Sequence, residues 1–325
     1  MRNFSKKIIT SVLTLVLTVV ALGTGVFAWF SMNTKTEATG LNGSAEAATG
    51  GFYISMTGAK GSWGNVVELN TLPNKGFRVL NDVFTDLTST DGIIINKIDF
   101  EHSDNAMIGG GASAASGYME FPLYFLTGND YFHVYLTKLE FVSQGLTSWS
   151  AEKDVDNGAG RVVTVGDLME SDIINAIRVS FQEVGWAEQN APTNDASTAF
   201  IFEQEASGDN MGANPKLFGN TTGFGGIGTN FALLYYNAVN PGTLLTLPNA
   251  RGDIVVGNDG VVSQKLLETT ALGDASEVAD GLDETFTHGG KVMVRVWLEG
   301  WDQEAFNALF GGEVTINMTF EVDNQ

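Results

Sequence analysis

Cysteine is absent from this sequence. Disulfide staples, a thiolate nucleophile and any cysteine metal site are therefore excluded. Histidine is scarce: His102, His133 and His288 lie far apart, and none belongs to an H-E-x-x-H pair. That removes the helix-borne zinc protease arrangement, and any other zinc site would need carboxylate ligands that no spacing identifies. Basic charge is scarce too, with 17 Lys and Arg against 38 Asp and Glu. Such a surface repels phosphate backbones and anionic lipid heads, which argues against nucleic-acid binding and peripheral membrane binding. No G-x-S-x-G elbow occurs. No catalytic residue is assigned, and the chain is not expected to be an enzyme.

Long apolar runs are limited to one. Arg2, Lys6 and Lys7 precede the run Ile8 to Leu22, and Val26-Phe27-Ala28 closes it with small side chains at the first and third positions. That is the layout of a secretory signal peptide over residues 1–28, cleaved between Ala28 and Trp29. Ile8 to Phe30 is also 23 residues without a charge, long enough for an uncleaved anchor across ~30 Å of hydrocarbon. Gly23 and Gly25 favour cleavage, since they break a helix just before Ala28. The mature chain then carries 14 basic against 38 acidic side chains, a net charge of −24. It is expected to be secreted, extracellular or at the cell surface, with no membrane association after cleavage.

What is present is alternation. Val292, Val294, Val296 and Leu298 interleave with Met293, Arg295, Trp297 and Glu299. Val314, Ile316, Met318, Phe320 and Val322 interleave with Thr315, Asn317, Thr319, Glu321 and Asp323. A period of two predicts two half-buried strands. Between them Asp302 is placed to cap a short helix that Gly311-Gly312 ends. Met119 to Phe125 and Phe132 to Leu136, joined by Thr127-Gly128-Asn129-Asp130, predict a β-hairpin. Further strands are expected at Phe52 to Met56, Phe77 to Val83, Ile93 to Phe100, Ile177 to Phe181 and Ala199 to Phe202, with a brief helix over Asp167 to Ala176.

No long helix follows the signal and no βαβ rhythm appears. The expected class is all-β: a jelly-roll-like antiparallel β-sandwich with short helices and long loop insertions. Ser207 to Asn230 and Pro248 to Gly290 are rich in Gly and polar residues and are expected to be surface loops. Neither has the apolar density for its own core, so residues 51–325 form one domain with insertions over about 185–290.

Most motifs dissolve in their context. Gly223-Phe224-Gly225-Gly226-Ile227-Gly228 fits the dinucleotide pattern, but loop residues precede it and no acid follows until Asp253. Arg251-Gly252-Asp253 spells an adhesion tripeptide, for which a polar turn is the plainer reading. Asp154-Val155-Asp156-Asn157-Gly158 resembles a calcium loop. Setting Gly158 at the sixth position of an EF-hand puts Lys153 and Val155 at ligand positions. No cofactor is expected, and calcium held by clustered acids in another geometry is the alternative.

The segment after the signal is more informative. Phe30, Met32, Thr34, Thr36 and Ala38 alternate with Ser31, Asn33, Lys35 and Glu37, and a Gly- and Ala-rich run from Gly40 to Gly51 follows. Residues 29–50 read as an extended strand on a flexible tether. It is either the first strand of its own sheet or a strand that adds to a neighbouring subunit.

Ala28-Trp29-Phe30, Met32-Asn33-Thr34-Lys35, Tyr135-Leu136 after a short acidic turn, and Val294-Arg295-Val296-Trp297-Leu298-Glu299-Gly300-Trp301-Asp302 occur in an order that resembles the TasA and camelysin family. The resemblance is carried by residues 1–56 and 291–322, and less by 117–136 and 173–181. It implies a jelly-roll protein exported through a SipW-type signal peptidase, which self-associates into biofilm-matrix or cell-surface fibres. On that model Phe30, Met32, Thr34, Thr36 and Ala38 form a donor strand that complements the next subunit. Two alternatives stand beside it. One is a monomeric adhesin or carbohydrate-binding sandwich that uses Trp63, Trp149 or Trp186. The other, also implied by the resemblance, is a camelysin-like metalloprotease.

Overall fold

The computed structural model describes residues 37–46, 52–68, 84–97, 114, 116–128, 132–143, 145–151, 153–156, 162–186, 199–204, 253–272, 286–300, 302 and 313–324. In chain order the strands are β1 (Glu37–Glu46), β2 (Phe52–Ser55), β3 (Val66–Glu68), β4 (Asp86–Thr88), β5 (Asn96–Lys97), β6 (Met119–Thr127), β7 (Phe132–Ser143) and β8 (Thr147–Ser150). They continue as β9 (Val155–Asp156), β10 (Val162–Val163), β11 (Leu168–Ser171), β12 (Ile177–Val184), β13 (Phe200–Gln204) and β14 (Ile254–Val256). The last are β15 (Val261–Glu268), β16 (Thr270–Ala271), β17 (His288–Glu299) and β18 (Glu313–Asn324).

Two large sheets face each other. One has the order β15-β7-β18-β1-β3. The other runs β14-β13-β12-β17-β4-β5, with β6 also on β17, β2 on β6, and β16 on β17. Between them lies the main core. Val314, Ile316, Met318 and Phe320 of β18, with Val134 and Leu136 of β7, meet Phe121 and Phe125 of β6, Phe181 of β12, and Val292, Val294 and Val296 of β17. Phe320 reaches across the sandwich, with its ring centroid 5.1 Å from Phe125 and 6.2 Å from Phe181. Each such aromatic gains about 1.5–3 kcal/mol from leaving water. The all-β sandwich expected from alternation is the architecture found.

Its details differ from expectation in five ways. The sheets are mixed, because β1 runs parallel to β18, β13 to β14, and β17 to β4. The expected hairpin is not one: β6 pairs with β17 and β2, whereas β7 pairs with β18 and β15. The chain changes sheets between them, and alternation with a Gly-Asn-Asp turn serves that corner as well as a hairpin. Strand β17 is buried on both faces rather than one, including Arg295, Trp297 and Glu299. The expected helix over Asp167 to Ala176 resolves into β11 and a 3-10 turn, Ile173–Asn175, capped by Asp172, whose Oδ1 accepts from Ile174 N at 3.2 Å. Finally, the expected loop at 248–290 contributes β14, β15 and β16, and the expected tether is strand as far as Glu46.

Expected strands β2, β12 and β13 lie where alternation placed them, while of Ile93 to Phe100 only β5 is strand among the described residues. Residues 77–83, 207–230 and the helix expected after Asp302 lie outside the described residues. Among the described residues no helix is long and apolar enough to cross a membrane.

Candidate functional site

The N-terminal strand is the first feature that sets this sandwich apart. β1 lies between β18 and β3, with Cα partners running from Glu37↔Glu313 to Glu46↔Glu321. The register shifts once, between Ala38 and Gly40. On its other side, among the described residues, Asn42, Gly43 and Ser44 pair with β3. Strand β18 is otherwise held by a long antiparallel ladder to β7. β1 is therefore the strand next to the apolar ridge of Val314, Ile316, Met318 and Phe320, and it is the first strand of the described residues. Of the candidate donor residues, Ala38 sits on β1 opposite Val314. Phe30, Met32, Thr34 and Thr36, and the cleavage pair Ala28 and Trp29, lie outside the described residues.

The second feature is a buried polar layer on the outer face of the larger sheet. Register aligns Arg178 with Trp297 and Glu203, Ser180 with Arg295 and Ile201, and Gln182 with Met293. This face is covered by Leu87, Ile95, Ala114 and Tyr118, which pack with Ile201 and Trp297. Ser180 Oγ donates to the Gly92 carbonyl at 2.6 Å and ties this cover down. Arg295 donates through Nε to Glu120 Oε2 at 2.7 Å and through Nη1 to Gln182 Oε1 at 3.0 Å. Trp297 Nε1 donates to Glu299 Oε2 at 3.2 Å.

Arg178 is the centre of this layer and is fully buried. Its Nε donates to Asp253 Oδ2 at 3.0 Å and its Nη2 donates to Asp302 Oδ2 at 2.5 Å, while Glu203 Oε2 lies 2.6 Å from Nη2 as an ion pair. Nη1 donates to the carbonyls of Asn175 and Ile177 at 3.1 and 3.2 Å. Every nitrogen of the guanidinium is thus engaged. Burial works against its charge, yet Asp302, Glu203, Asp253 and Glu299 together outweigh burial and hold Arg178 above its ordinary pKa.

One sequence motif changes meaning here. The aspartate of Arg251-Gly252-Asp253 is consumed inside the protein, with 1% of its side chain exposed, so it is not offered to an adhesion receptor. Asp302 Oδ2 accepts from Arg178 Nη2, while the helix Asp302 is expected to cap lies outside the described residues. Alternation put Arg295 on the polar side of its strand, but nothing local showed that this side is covered.

The other candidates are scattered. Asp154 Oδ1 accepts from Val165 N at 2.8 Å, a loop-bridging role, while Asn157 and Gly158 lie outside the described residues. Among the described residues no group of three or more His, Asp or Glu is placed to hold a metal ion. His133 Nε2 lies 3.2 Å from Glu268 Oε2, and His288 Nδ1 lies 3.1 Å from the Gly128 carbonyl. Trp63 and Trp186 stack on each other, centroids 6.1 Å apart and 9° from parallel, and Tyr124 meets Trp186 edge-on. Trp149 lies on β8, away from that pair in sequence.

Comparison with protein-family models, curated proteins and solved structures finds no match to this chain.

Proposed function

We propose that this chain is a secreted structural subunit that self-associates into extracellular or biofilm-matrix fibres by lending its N-terminal strand to the next copy. One observation carries the reading. β1 is the first strand of the described residues, lies parallel to β18, and among the described residues is held on its far side by three residues of β3. Nine Cα partners on β18 depend on it. A terminal strand can leave one sheet and fill the same gap in another without breaking any connection within the fold. The main-chain hydrogen bonds made within one copy are then remade between copies, so the exchange costs little energy and gains concentration dependence.

The resemblance to the TasA and camelysin family points the same way, including export through a SipW-type signal peptidase that frees Trp29. The absence of cysteine suits a subunit stabilised by its core and its neighbours rather than by disulfides. A carbohydrate-binding sandwich has weaker support, because Trp63 and Trp186 turn ring faces towards each other. A metalloprotease has less, for want of a gathered ligand set among the described residues.

The test is negative-stain electron microscopy of the chain beginning at Trp29 beside one lacking Trp29 to Glu46, which removes β1 whole. Filaments from the longer chain alone are expected. Monomers from both, across salt and calcium concentrations, would overturn the proposal and favour the adhesin.

A further inference from the structure

Strand β3 is the second neighbour of β1, and it is held from a different part of the fold. Its three pairs are Asn42↔Glu68, Gly43↔Val67 and Ser44↔Val66. Ten residues, 56–65, join it to β2, and they are tied to the larger sheet. Ile54 N donates to the Gly64 carbonyl at 2.8 Å, and Gly64 N donates back to the Ile54 carbonyl at 3.0 Å. Ser55 Oγ accepts from Thr57 N at 3.1 Å and Gly58 N at 3.0 Å, and lies 2.5 Å from Ser62 Oγ. Trp63, three residues before β3, stacks on Trp186, which follows β12. Trp186 in turn meets Tyr124 of β6 edge-on and lies against Gly289 of β17, where an added Cβ would stand 2.7 Å from Trp186 Cζ3.

This anchor reaches β6, β17 and the chain just past β12, and among the described residues none of these strands pairs with β1. Val67 also packs on the main core from β3, whereas Val66 is 60% exposed. Withdrawing β1 therefore leaves β3 attached to its own larger sheet, while the ladder to β7 holds β18. The gap keeps two walls, separated by two strand spacings of about 4.8 Å each, which is room for one strand. One wall pairs parallel and the other antiparallel.

We propose that β3 is the fixed second wall of the acceptor groove, so that a β1 donated by another copy pairs with the acceptor's Val66–Glu68 as well as with its β18, and that the Trp63–Trp186 stack holds this wall in place. The proposal rests on the strand exchange proposed above and adds the side of the groove that β18 does not supply. The occupant is a second copy of this chain, because the Glu37–Glu46 sequence already satisfies both ladders within one copy. Main-chain bonds along two edges fix the direction and register of the incoming strand, where one edge alone leaves register weakly specified in so Gly-rich a strand.

The experiment uses single-cysteine chains beginning at Trp29, which can cross-link only between copies because the sequence has no cysteine of its own. Ser44→Cys chain is mixed with Val66→Cys chain, and separately with Thr319→Cys chain, then assembled and oxidised. Ser44 is the Cα partner of both positions, and strand neighbours lie about 4.5–5.5 Å apart at Cα, within disulfide reach. A tag on one chain separates mixed from like dimers on a non-reducing gel. Mixed dimers are expected in severalfold excess over like dimers in both mixtures. The Ser44–Thr319 dimer without the Ser44–Val66 dimer would overturn this inference and leave strand exchange standing. Neither mixed dimer, with no filaments, would overturn strand exchange and this inference with it. Trp63→Ala, placed in the Val66→Cys and Thr319→Cys chains, is expected to lower the Ser44–Val66 yield severalfold and to keep the Ser44–Thr319 yield. An unchanged Ser44–Val66 yield, or an equal fall in both, would overturn the role given to the stack.

Discussion

Asp253 Oδ2 accepts a hydrogen bond from Arg178 Nε at 3.0 Å, and only 1% of the Asp253 side chain meets solvent. The two residues are 75 positions apart in sequence. Their contact joins β12 to the start of β14, so it bears on stability rather than recognition.

Arg178→Met removes the cation and leaves several buried carboxylates facing one another. It should cost about 3–5 kcal/mol, the range for breaking a buried ion pair by removing one partner. Asp253→Ala leaves Arg178 with Glu203 and Asp302 and should cost about 1–3 kcal/mol. Urea unfolding of both variants checks the ranking. A smaller loss for Arg178→Met than for Asp253→Ala would contradict this account of the cluster.

Gly92 has φ +70°, and a Cβ there would lie 2.7 Å from Ile201 Cγ1 and 3.0 Å from Ser180 Cβ. Its carbonyl also receives the Ser180 hydroxyl. Gly92→Ala should therefore lose about 1–3 kcal/mol through backbone strain and overpacking together. Gly145 supplies the comparison: with φ +129° and open space for 4 Å around an added Cβ, only strain acts there. Comparable thermal midpoints for the two alanine variants would show that the cover over Ser180 yields freely.

Burial raises the Asp172 carboxyl above its ordinary pKa, partly offset by hydrogen bonds from Ser143 and from the Ile174 and Ile173 N–H groups. A raised carboxyl favours the folded state at low pH, and that contribution is lost as pH climbs from the ordinary carboxylate range through the folded value. Asp172→Asn keeps an oxygen for the Ile174 N–H and cannot ionise. Relative to wild type it should become more favourable between pH 4 and pH 6.5. Paired unfolding curves at the two pH values read this directly, and a shift towards the wild type instead would reverse the assignment.

How far the sequence announced this fold depends on what covers each strand. The alternation of Val314 to Val322 reports a strand with one dry face, and β18 is that strand. The equally regular alternation of Val292 to Leu298 reports the dry face of β17 correctly. It is silent about the other face, where Arg295 and Trp297 are buried and Leu87, Ile95, Ala114 and Tyr118 form the cover. Periodicity says which side a residue takes, not whether water reaches that side. Partner choice was hidden for a similar reason: Met119 to Thr127 and Phe132 to Ser143 alternate as a hairpin would, yet each is drawn into a different sheet by distant strands. The Arg178 cluster joins residues 178, 203, 253, 299 and 302, and no local pattern foretells such a meeting. The small residues of Gly40 to Ala45 suggested a tether because weak strand formers are read by propensity, while pairing with β18 decides their conformation.

The central claim is that β1 moves from its own β18 to that of another copy, and a disulfide across that ladder tests it most directly. Ser44 and Thr319 are Cα partners, and the chain has no other cysteine to interfere. A Ser44→Cys, Thr319→Cys variant of the chain beginning at Trp29, oxidised as a dilute monomer and then concentrated, is imaged by electron microscopy with and without reductant. Filaments are expected after reduction and none while the disulfide holds β1 to its own sheet. Filaments of equal abundance in both states, with the disulfide intact within each chain, would contradict it.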